Sequence, residues 1–339
     1  MKKKLLSLIS MLLVVMMVFS GCSNDSGENT AKEENDSKLK VALVVAGGLG
    51  DRSFYDSSNE GLNMAIEKLN ADGKVLECKN DPTLYTDQLI QASTSSDVIV
   101  VVGFEFYDVI QEVAKEFEGK KYIYIDNVVE GVDNIACIDY MENEGSFLAG
   151  ALAAMKTKTN KIGMVGGMDI PVIRNFKVGY EQGAKYVNED IVVETIFAGD
   201  FEDPAKGKES ALALYAKGID IIFQVAGKTG EGVFQAAKDT NNFAIGVDSD
   251  QRYIAPDQII ASMVKGVDLS IFETLQRIEK GEFEASKVYR YGAKENGVKM
   301  SYGTDDMTKL VDDETIAKID ELTKKIIDGE ITVKEAKEE

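Results

Sequence analysis

Residues 97–115 read DVIVVVGFEFYDVIQEVAK, and residues 220–238 read DIIFQVAGKTGEGVFQAAK. Each stretch begins with an aspartate and an apolar run typical of a buried strand, followed by a glycine, a short loop and a helical pattern that ends in Ala-Lys. The next strand ends in aspartate in both cases, at Asp126 and Asp248, which lie 29 and 28 positions after the first residue of each stretch. This internal similarity predicts two halves of similar build, each with an open parallel sheet.

The rest of the chain continues this alternation of strands and helices. From Lys40 onward, short runs rich in Val and Ile alternate with amphipathic helical patterns, which is typical of βα units around parallel sheets. The predicted strands are 41–45, 98–102, 122–125, 162–165, 192–197, 219–225 and 243–247. We therefore expect an α/β fold of two lobes, each with an open parallel sheet flanked by helices.

The repeat also predicts where a ligand binds. Ligands of open parallel sheets lie beyond the carboxyl ends of the strands, where Asp126, Asp248 and the loops 47–54 and 166–176 would fall. Loops from two facing lobes form a cleft, and ligand sites favour such interfaces. The Asp248 carboxylate has two acceptor oxygens that match a vicinal diol such as that of ribose, although a strand-end cap is the alternative interpretation.

The composition limits the possible functions. The chain has 339 residues, 44% of them apolar, which is enough for two domains with their own cores. It contains no histidine, which excludes Ser-His-Asp catalysis and H-E-x-x-H metal sites and lowers the expectation of an enzyme. A net charge of −20 disfavours nucleic acid as a partner. The segment 248–250 lacks the glycine and distal glutamate of a calcium loop, so we predict no metal and no cofactor.

The first 38 residues predict export and anchoring. Residues 1–21 have the lysines and the short apolar run of a signal peptide. The junction before Cys22 resembles a bacterial lipobox, which implies cleavage there and lipid on the cysteine sulfur; an ordinary secretory signal with an incidental cysteine is the alternative. Residues 22–38 are polar and predict a disordered tether. We expect a lipid-anchored protein on the extracytoplasmic face of the cell membrane.

The stretch VVAGGLGDRSFYDSSNEGLNMA, residues 44–65, leads from a predicted strand through glycines into a predicted helix. Its glycines fit neither the G-x-G-x-x-G nor the G-x-x-x-x-G-K-[ST] pattern of phosphate-binding loops. Asp51 follows them directly and would repel a phosphate. The aromatic and hydroxyl side chains that come next suit an uncharged ligand with hydrogen-bond donors and a flat face.

Several stretches resemble one known family: GDRSFYDSSNEG, NEGSFLAGALAA, VGGMDIPVIRNFKVGYEQGAKYVN and GVDSDQ. They are similar to the basic membrane protein family of lipoproteins, which includes the purine nucleoside receptor and consists of solute-binding proteins of ABC transporters. The resemblance covers residues 40–297 and implies a type I periplasmic-binding-protein fold whose chain crosses three times between lobes. It implies a lobe 1 of residues 39–155 plus about 256–285, and a lobe 2 of residues 156–255 plus about 286–339.

The resemblance also implies site residues. Phe54, or its neighbour, and Phe176 would stack on the base, and Asp51 and Asp126 would accept hydrogen bonds from the ligand. Asp248 and Lys265 would hold the ribose, while Gly227 would let the backbone approach the sugar. The candidate ligand-binding residues are Asp51, Ser53, Phe54, Tyr55, Asp126, Phe176, Gly227, Asp248 and Lys265. Tyr55 stands where the family usually has asparagine, which leaves the identity of the base open.

The expected function is that of a lipid-anchored, monomeric receptor that captures a purine nucleoside, closes its lobes and presents the ligand to the permease and ATPase of an ABC transporter. Three alternatives remain. The first is a ligand sensor on the same fold, and the second is a receptor for another aromatic ligand such as riboflavin. The third is a nucleoside hydrolase, which the absence of histidine disfavours.

Overall fold

The computed structural model describes residues 38–336. The predicted signal peptide, Cys22 and the tether up to residue 37 therefore lie outside the described residues. Within residues 38–336, no helix is both long enough and apolar enough to cross a membrane. The described chain forms two α/β lobes, which confirms the predicted fold class.

The strands, in chain order, are β1 (Lys40–Val45), β2 (Asp72–Glu77), β3 (Val98–Val102), β4 (Lys121–Ile125), β5 (Ile135–Tyr140), β6 (Lys161–Gly166), β7 (Val192–Phe197), β8 (Ile221–Val225), β9 (Phe243–Asp248), β10 (Ile259–Lys265), β11 (Val288–Tyr291) and β12 (Val298–Ser301). The helices are α1 (Phe54–Leu69), α2 (Tyr85–Ser95), α3 (Tyr107–Glu116), α4 (Glu142–Lys156), α5 (Pro171–Val187), α6 (Pro204–Ala216), α7 (Gly230–Thr240), α8 (Val267–Glu279) and α9 (Asp313–Ile327).

The two sheets have matching strand orders. The sheet of lobe 1 runs β2-β1-β3-β4-β5-β11, and all of its strand pairs are parallel. The sheet of lobe 2 runs β7-β6-β8-β9-β10-β12, and only β12 is antiparallel to its neighbour. The central strands are fully buried apolar runs, as parallel strands covered on both faces should be. The predicted internal similarity thus corresponds to β3-α3-β4 in one lobe and β8-α7-β9 in the other.

Helices cover both faces of each sheet. In lobe 1, α1 and α8 pack together on one face, and α2 and α3 cover the other. In lobe 2, α4, α5 and α9 cover one face, and α6 and α7 cover the other. Cys78 and Cys137 are buried free thiols of the lobe 1 core.

The chain crosses three times between the described lobes. The crossings lie between β5 and α4, between β10 and α8, and between β11 and β12. The structure differs from the predicted lobe boundaries at each crossing. Helix α4 packs in lobe 2 because its glycines and alanines fit against α5, and β10 pairs with β9 in lobe 2. Strand β11 extends the sheet of lobe 1 instead of belonging to lobe 2.

Candidate functional site

The carboxyl ends of both sheets open into a cavity between the lobes. Its empty volume, counted out to solvent, is about 690 Å³, within the usual range of small-molecule sites. Its walls are formed by aromatic and aliphatic side chains with a few charged groups between them. The lining residues that bear on function are Asp51, Phe54, Tyr55, Phe104, Glu105, Asp126, Phe176, Phe201, Glu202, Gly227, Lys228, Asp248 and Lys265.

Lys265 lies at the centre of the charged groups and is only 2% exposed. Its ammonium nitrogen Nζ is 2.7 Å from Asp126 Oδ2 and 3.9 Å from Asp248 Oδ1. Asp126 directly follows β4 of lobe 1, whereas Asp248 ends β9 of lobe 2. Both aspartates have left-handed backbone conformations, with φ of 66° and 63°, which turn the chain sharply after the strand. One buried cation therefore bridges equivalent carboxylates of the two lobes.

Glu142 completes this group, which we call the lysine cluster (Lys265, Asp126, Asp248 and Glu142). Its Oε1 is 3.8 Å from Lys265 Nζ. Burial raises the pKa of Glu142 well above its usual range, and the charge of Asp126 raises this pKa further. Glu142 Oε1 and Asp126 Oδ1 are both buried and, as carboxylate oxygens, have no N–H or O–H partner in the described part of the chain. A proton held by Glu142 would give this pair a donor, which fits the raised pKa.

The pKa values of Lys265 and Asp248 are both raised, but for different reasons. Burial alone would lower the pKa of Lys265, but the three carboxyl groups outweigh burial and raise this pKa. Burial raises the pKa of Asp248, while Lys265 and a hydrogen bond from Ser53 oppose that rise. The lysine is therefore a permanent cation at neutral pH.

Aromatic rings surround the lysine ammonium. The distance from Lys265 Nζ to the ring centroid is 4.6 Å for Phe54, 5.1 Å for Tyr140 and 5.5 Å for Phe176. These distances are typical of cation–π contacts. Phe54 is half-buried, whereas Phe176 is only 2% exposed and packs on Phe223 in the core of lobe 2. The structure thus brings the two predicted stacking residues together around one cation.

Asp51 organises the entrance to α1. Its carboxylate accepts backbone N–H bonds from Ser53 at 3.1 Å, Tyr55 at 2.9 Å and Asp56 at 3.0 Å. These bonds use donors that a helix start leaves unpaired. Burial raises the pKa of Asp51 to about 7, although the three N–H donors oppose this. Asp51 lines the cavity, but only Oδ2 keeps a spare lone pair for a ligand.

The loop before α1 docks directly on lobe 2. Ser53 Oγ donates to Asp248 Oδ2 at 2.5 Å. The carbonyl oxygen of Arg52 accepts from Ser249 Oγ and from Gln251 Nε2, each at 2.9 Å. The Arg52 guanidinium lies 3.7 Å from Glu231 of α7. These contacts hold the lobes in a closed arrangement, and Ser53 acts as a support for Asp248 outside the cavity wall.

A second charged group in the cavity contains Glu105 of lobe 1 and Glu202 of lobe 2, which we call the glutamate pair. Burial raises the pKa of both residues. The ring of Tyr55 and Glu202 Oε1 approach the same point, where a Cβ of Gly47 would stand, at 2.5 and 2.9 Å. Burial raises the pKa of Tyr55, and the charges of Glu105, Asp51 and Glu202 raise it further. The rings of Phe104 and Phe201 meet next to it across the lobes, with centroids 6.4 Å apart. Each lobe therefore supplies one phenylalanine and one glutamate.

Eight of the nine predicted binding residues line the cavity, and Ser53 alone among them does not. The sequence analysis missed Phe104, Glu105, Phe201, Glu202 and Glu142. Phe104 and Glu105 directly follow Gly103, the counterpart of Gly227, so the internal similarity could have indicated them. Phe201 and Glu202 follow β7, another strand whose carboxyl end faces the cavity.

Comparisons with known proteins agree with this architecture. Residues 38–337 match the model of a family described as "ABC transporter substrate-binding protein PnrA-like". The chain is 34% identical to the "ABC transporter nucleoside-binding protein BmpA" of Lactococcus lactis, covering 98% of this chain and 99% of the relative. It is 32% identical to a "CD4+ T-cell-stimulating antigen" of Listeria innocua, covering 99% of both chains.

A solved structure shares the fold. It is an ABC transporter system solute-binding protein from Aeropyrum pernix K1, with a TM-score of 0.80 and 28% identity, covering 88% of this chain and 94% of that chain. Because the family match spans residues 38–337 and relatives above 30% identity align over almost the whole chain, the chain belongs to the PnrA-like family of ABC transporter substrate-binding proteins.

Proposed function

We propose that the protein binds purine nucleosides in the interlobe cavity and delivers them to the permease and ATPase of an ABC transporter. The observation that carries this proposal is the lysine cluster, which joins both lobes at an aromatic wall. A flat base matches the rings, and the ribose diol matches carboxylate acceptors beside an ammonium donor. The name of the Lactococcus lactis relative, a nucleoside-binding protein, supports the same ligand class.

In this proposal the candidate residues have distinct roles. Phe54 and Phe176 contact the base, and Asp248 with Lys265 holds the ribose hydroxyls. Gly227, with φ of 54°, places backbone close to the sugar. Asp126 Oδ2 accepts from Lys265 Nζ at 2.7 Å, and in this proposal the same oxygen also accepts a ligand N–H or O–H.

The cavity charge favours nucleosides over nucleotides. Five of the lining side chains are carboxyl groups and two are lysines. A phosphate would meet like charges in a poorly screened site, so its presence should weaken binding strongly. We expect calorimetry to detect guanosine, inosine or adenosine but no comparable binding of their monophosphates or of free ribose. Equal affinity for monophosphates, or binding of riboflavin alone, would contradict the nucleoside proposal.

Delivery requires the protein to act outside the cytoplasm, as substrate-binding proteins of ABC transporters do. We propose that Cys22 carries the lipid that holds it at the membrane. A single acyl chain anchors only marginally, so more than one chain is expected on this cysteine. Cys22→Ala should leave the protein unprocessed or release it from membranes after cleavage. A cleaved Cys22→Ala protein that still sediments with membranes would contradict the lipid anchor.

The nucleoside hydrolase alternative receives no support from the site. The family is one of solute-binding proteins, and within residues 38–336 no cluster of carboxyl or cysteine side chains is suited to hold a metal ion. Incubation with inosine separates the two functions, because a hydrolase releases free hypoxanthine and a receptor returns inosine unchanged.

A further inference from the structure

The glutamate pair has acceptor capacity that the protein itself does not use. Glu105 Oε2 is buried and has no hydrogen-bond partner among residues 38–336. Glu105 and Glu202 both line the interlobe cavity, one from each lobe. A buried acceptor left without a donor costs free energy, so such an atom is expected to meet a donor in the bound state.

The backbone around Glu105 is arranged to hold its carboxylate in place. Gly103 has φ of 128°, and a Cβ atom added there would stand 2.6 Å from Glu105 Oε2. The Tyr124 hydroxyl donates to the Gly103 carbonyl at 3.2 Å and fixes this turn. Only glycine both adopts this conformation and leaves room for the carboxylate. The position of Glu105 is therefore built into the end of β3.

Glu202 is held next to the same loop from the other lobe. Its Oε1 lies 2.9 Å from the point where a Cβ of Gly47 would stand, and the ring of Tyr55 approaches the same point at 2.5 Å. Asn80 hydrogen-bonds to the Glu202 carboxylate, and Lys228 Nζ is 3.7 Å from its Oε2. These partners lie in both lobes, so Glu202 takes its position when the lobes are closed.

We propose that the glutamate pair reads the donor edge of a 6-oxopurine and makes this receptor selective for guanosine. The inference rests on the proposed nucleoside function. Guanine presents N1–H and an exocyclic amino group side by side. Glu105 would accept N1–H and one amino hydrogen as a bidentate acceptor, and Glu202 would accept the second amino hydrogen. Adenine presents N1 at the same edge. Because N1 of adenine and the carboxylate oxygens of Glu105 are all hydrogen-bond acceptors, they would repel each other.

The order of affinities follows from counting donors. Guanosine offers three edge N–H groups, inosine offers only N1–H, and adenosine offers no N–H at position 1. We expect guanosine to bind tightest, inosine less tightly and adenosine weakest. The difference between guanosine and adenosine should be about 10- to 100-fold, the discrimination of one bidentate base contact.

Calorimetry with the three nucleosides tests this on the native protein and on Glu105→Gln and Glu202→Gln. Glu105→Gln should lose about 10- to 100-fold in guanosine affinity and keep adenosine affinity, since a glutamine amide both donates and accepts. Glu202→Gln should weaken guanosine but leave inosine unchanged. Glu112→Gln, an exposed glutamate of α3, is the matched control and should bind like the native protein.

The outcomes distinguish the inference from the function on which it rests. Failure of every nucleoside to bind the native protein would overturn the proposed function. Nucleoside binding with equal affinity for guanosine and adenosine would overturn only the role of the glutamate pair. The same holds if Glu105→Gln keeps the native preference. The comparison of inosine with guanosine needs no variant, so it remains decisive even where a substitution unfolds the protein.

Discussion

At the scale of single residues, the site contains more hydrogen-bond acceptors than donors. Lys265 is the ammonium shared by three carboxyl groups, and Glu142 avoids a further negative charge by its raised pKa. A buried charge is stable only when paired and hydrogen-bonded. A ligand rich in N–H and O–H groups adds the donors that this acceptor-rich cavity lacks.

Phe54 is the residue best suited to test base stacking. It is half-buried at the start of α1, so Phe54→Leu should keep the fold while removing a flat ring from the cavity. We expect nucleoside affinity to fall by about 1–3 kcal/mol, the scale of one base–aromatic contact. Calorimetry measures the loss, and the thermal midpoint without ligand reports the fold.

Phe104→Leu is the matched comparison, since Phe104 also lines the cavity but meets Phe201 across the lobes. It should cost less affinity than Phe54→Leu if Phe54 is the stacking residue. Unchanged nucleoside affinity in Phe54→Leu would show that Phe54 does not stack on the base.

Of the lysine cluster, the sequence pattern indicated Asp126 and Asp248 and the family resemblance added Lys265, whereas Glu142 and the glutamate pair were missed. Asp126 and Asp248 stand at matched strand ends, a local pattern that a single sequence reveals. Glu105 and Glu202 come from different lobes, so no spacing along the chain indicates that the two form a pair. Asp51 was predicted from its loop, but its use as a helix cap depends on backbone geometry that only the structure shows.

At the scale of elements, the N-terminus of α1 is capped by the Asp51 carboxylate, which lies three residues before the first helical residue, Phe54. Asp51 holds three N–H groups while buried, and its pKa is about 7 instead of 3.8. The folded protein therefore binds a proton more tightly than the unfolded chain does. By linkage, the free energy of unfolding falls as the pH rises between these two values.

We expect the ligand-free protein to be most resistant to urea near pH 5 and to lose stability steadily up to pH 7, because the raised pKa values of Asp51, Glu142 and Glu105 act in the same direction. The exposed carboxylates with lowered pKa values, such as Asp312, change stability only at more acidic pH. Urea midpoints at pH 5, 6, 7 and 8 measure the slope. Asp51→Asn should flatten it, and an unchanged slope in that variant would assign the pH dependence to other groups.

The contact between α4 and α5 depends on glycines. A Cβ atom on Gly183 would lie 1.8 Å from the Phe147 carbonyl oxygen, and one on Gly179 would lie 2.2 Å from the Asn143 carbonyl oxygen. The two backbones therefore pack closer than any side chain permits. This contact keeps α4 in lobe 2, although α4 directly follows the last parallel strand before the first crossing.

Gly183→Ala should destabilise the protein by about 1–3 kcal/mol or more, because the added methyl group must push two helix backbones apart. Chemical denaturation measures the change. Gly119→Ala is the control, since a Cβ atom there meets nothing within 4 Å, and it should change stability little. Equal stability of both variants would show that the α4–α5 contact can accommodate the methyl group without a loss in the free energy of unfolding.

Six of the seven predicted strands are buried along nearly their whole length, and the seventh, β7, is a partly buried edge strand. Seven predicted runs correspond to β1, β3, β4, β6, β7, β8 and β9. Strands β2, β11 and β12 were not predicted, because they lie at sheet edges and mix polar with apolar residues. The crossings were placed wrongly for a related reason. Pairing of β11 with β5 joins segments far apart in the chain, such as Val288 and Cys137, and periodicity along the chain does not encode it.

At the scale of the whole molecule, the lysine cluster lies next to two of the three crossings. Glu142 is the first residue of α4, directly after the first crossing, and Lys265 is the last residue of β10, directly before the second crossing. Rotation of the lobes about these segments would separate Asp126 from Asp248. Closing the lobes therefore brings two carboxylates towards one ammonium, and ligand contacts to both lobes would shift the equilibrium further to the closed state.

Lys265→Met tests whether this cation holds the lobes together. Without the ammonium, Asp126 and Asp248 repel each other, so small-angle scattering should give the ligand-free variant a larger radius of gyration than the native protein. Nucleoside affinity should fall by about 100-fold or more, the scale of truncating one partner of a buried charge pair. Lys265→Met combined with Asp126→Asn removes one of the repelling charges and should recover part of the compact form. A Lys265→Met protein with native dimensions, which still contracts on adding guanosine, would show that the lobes close without the bridge.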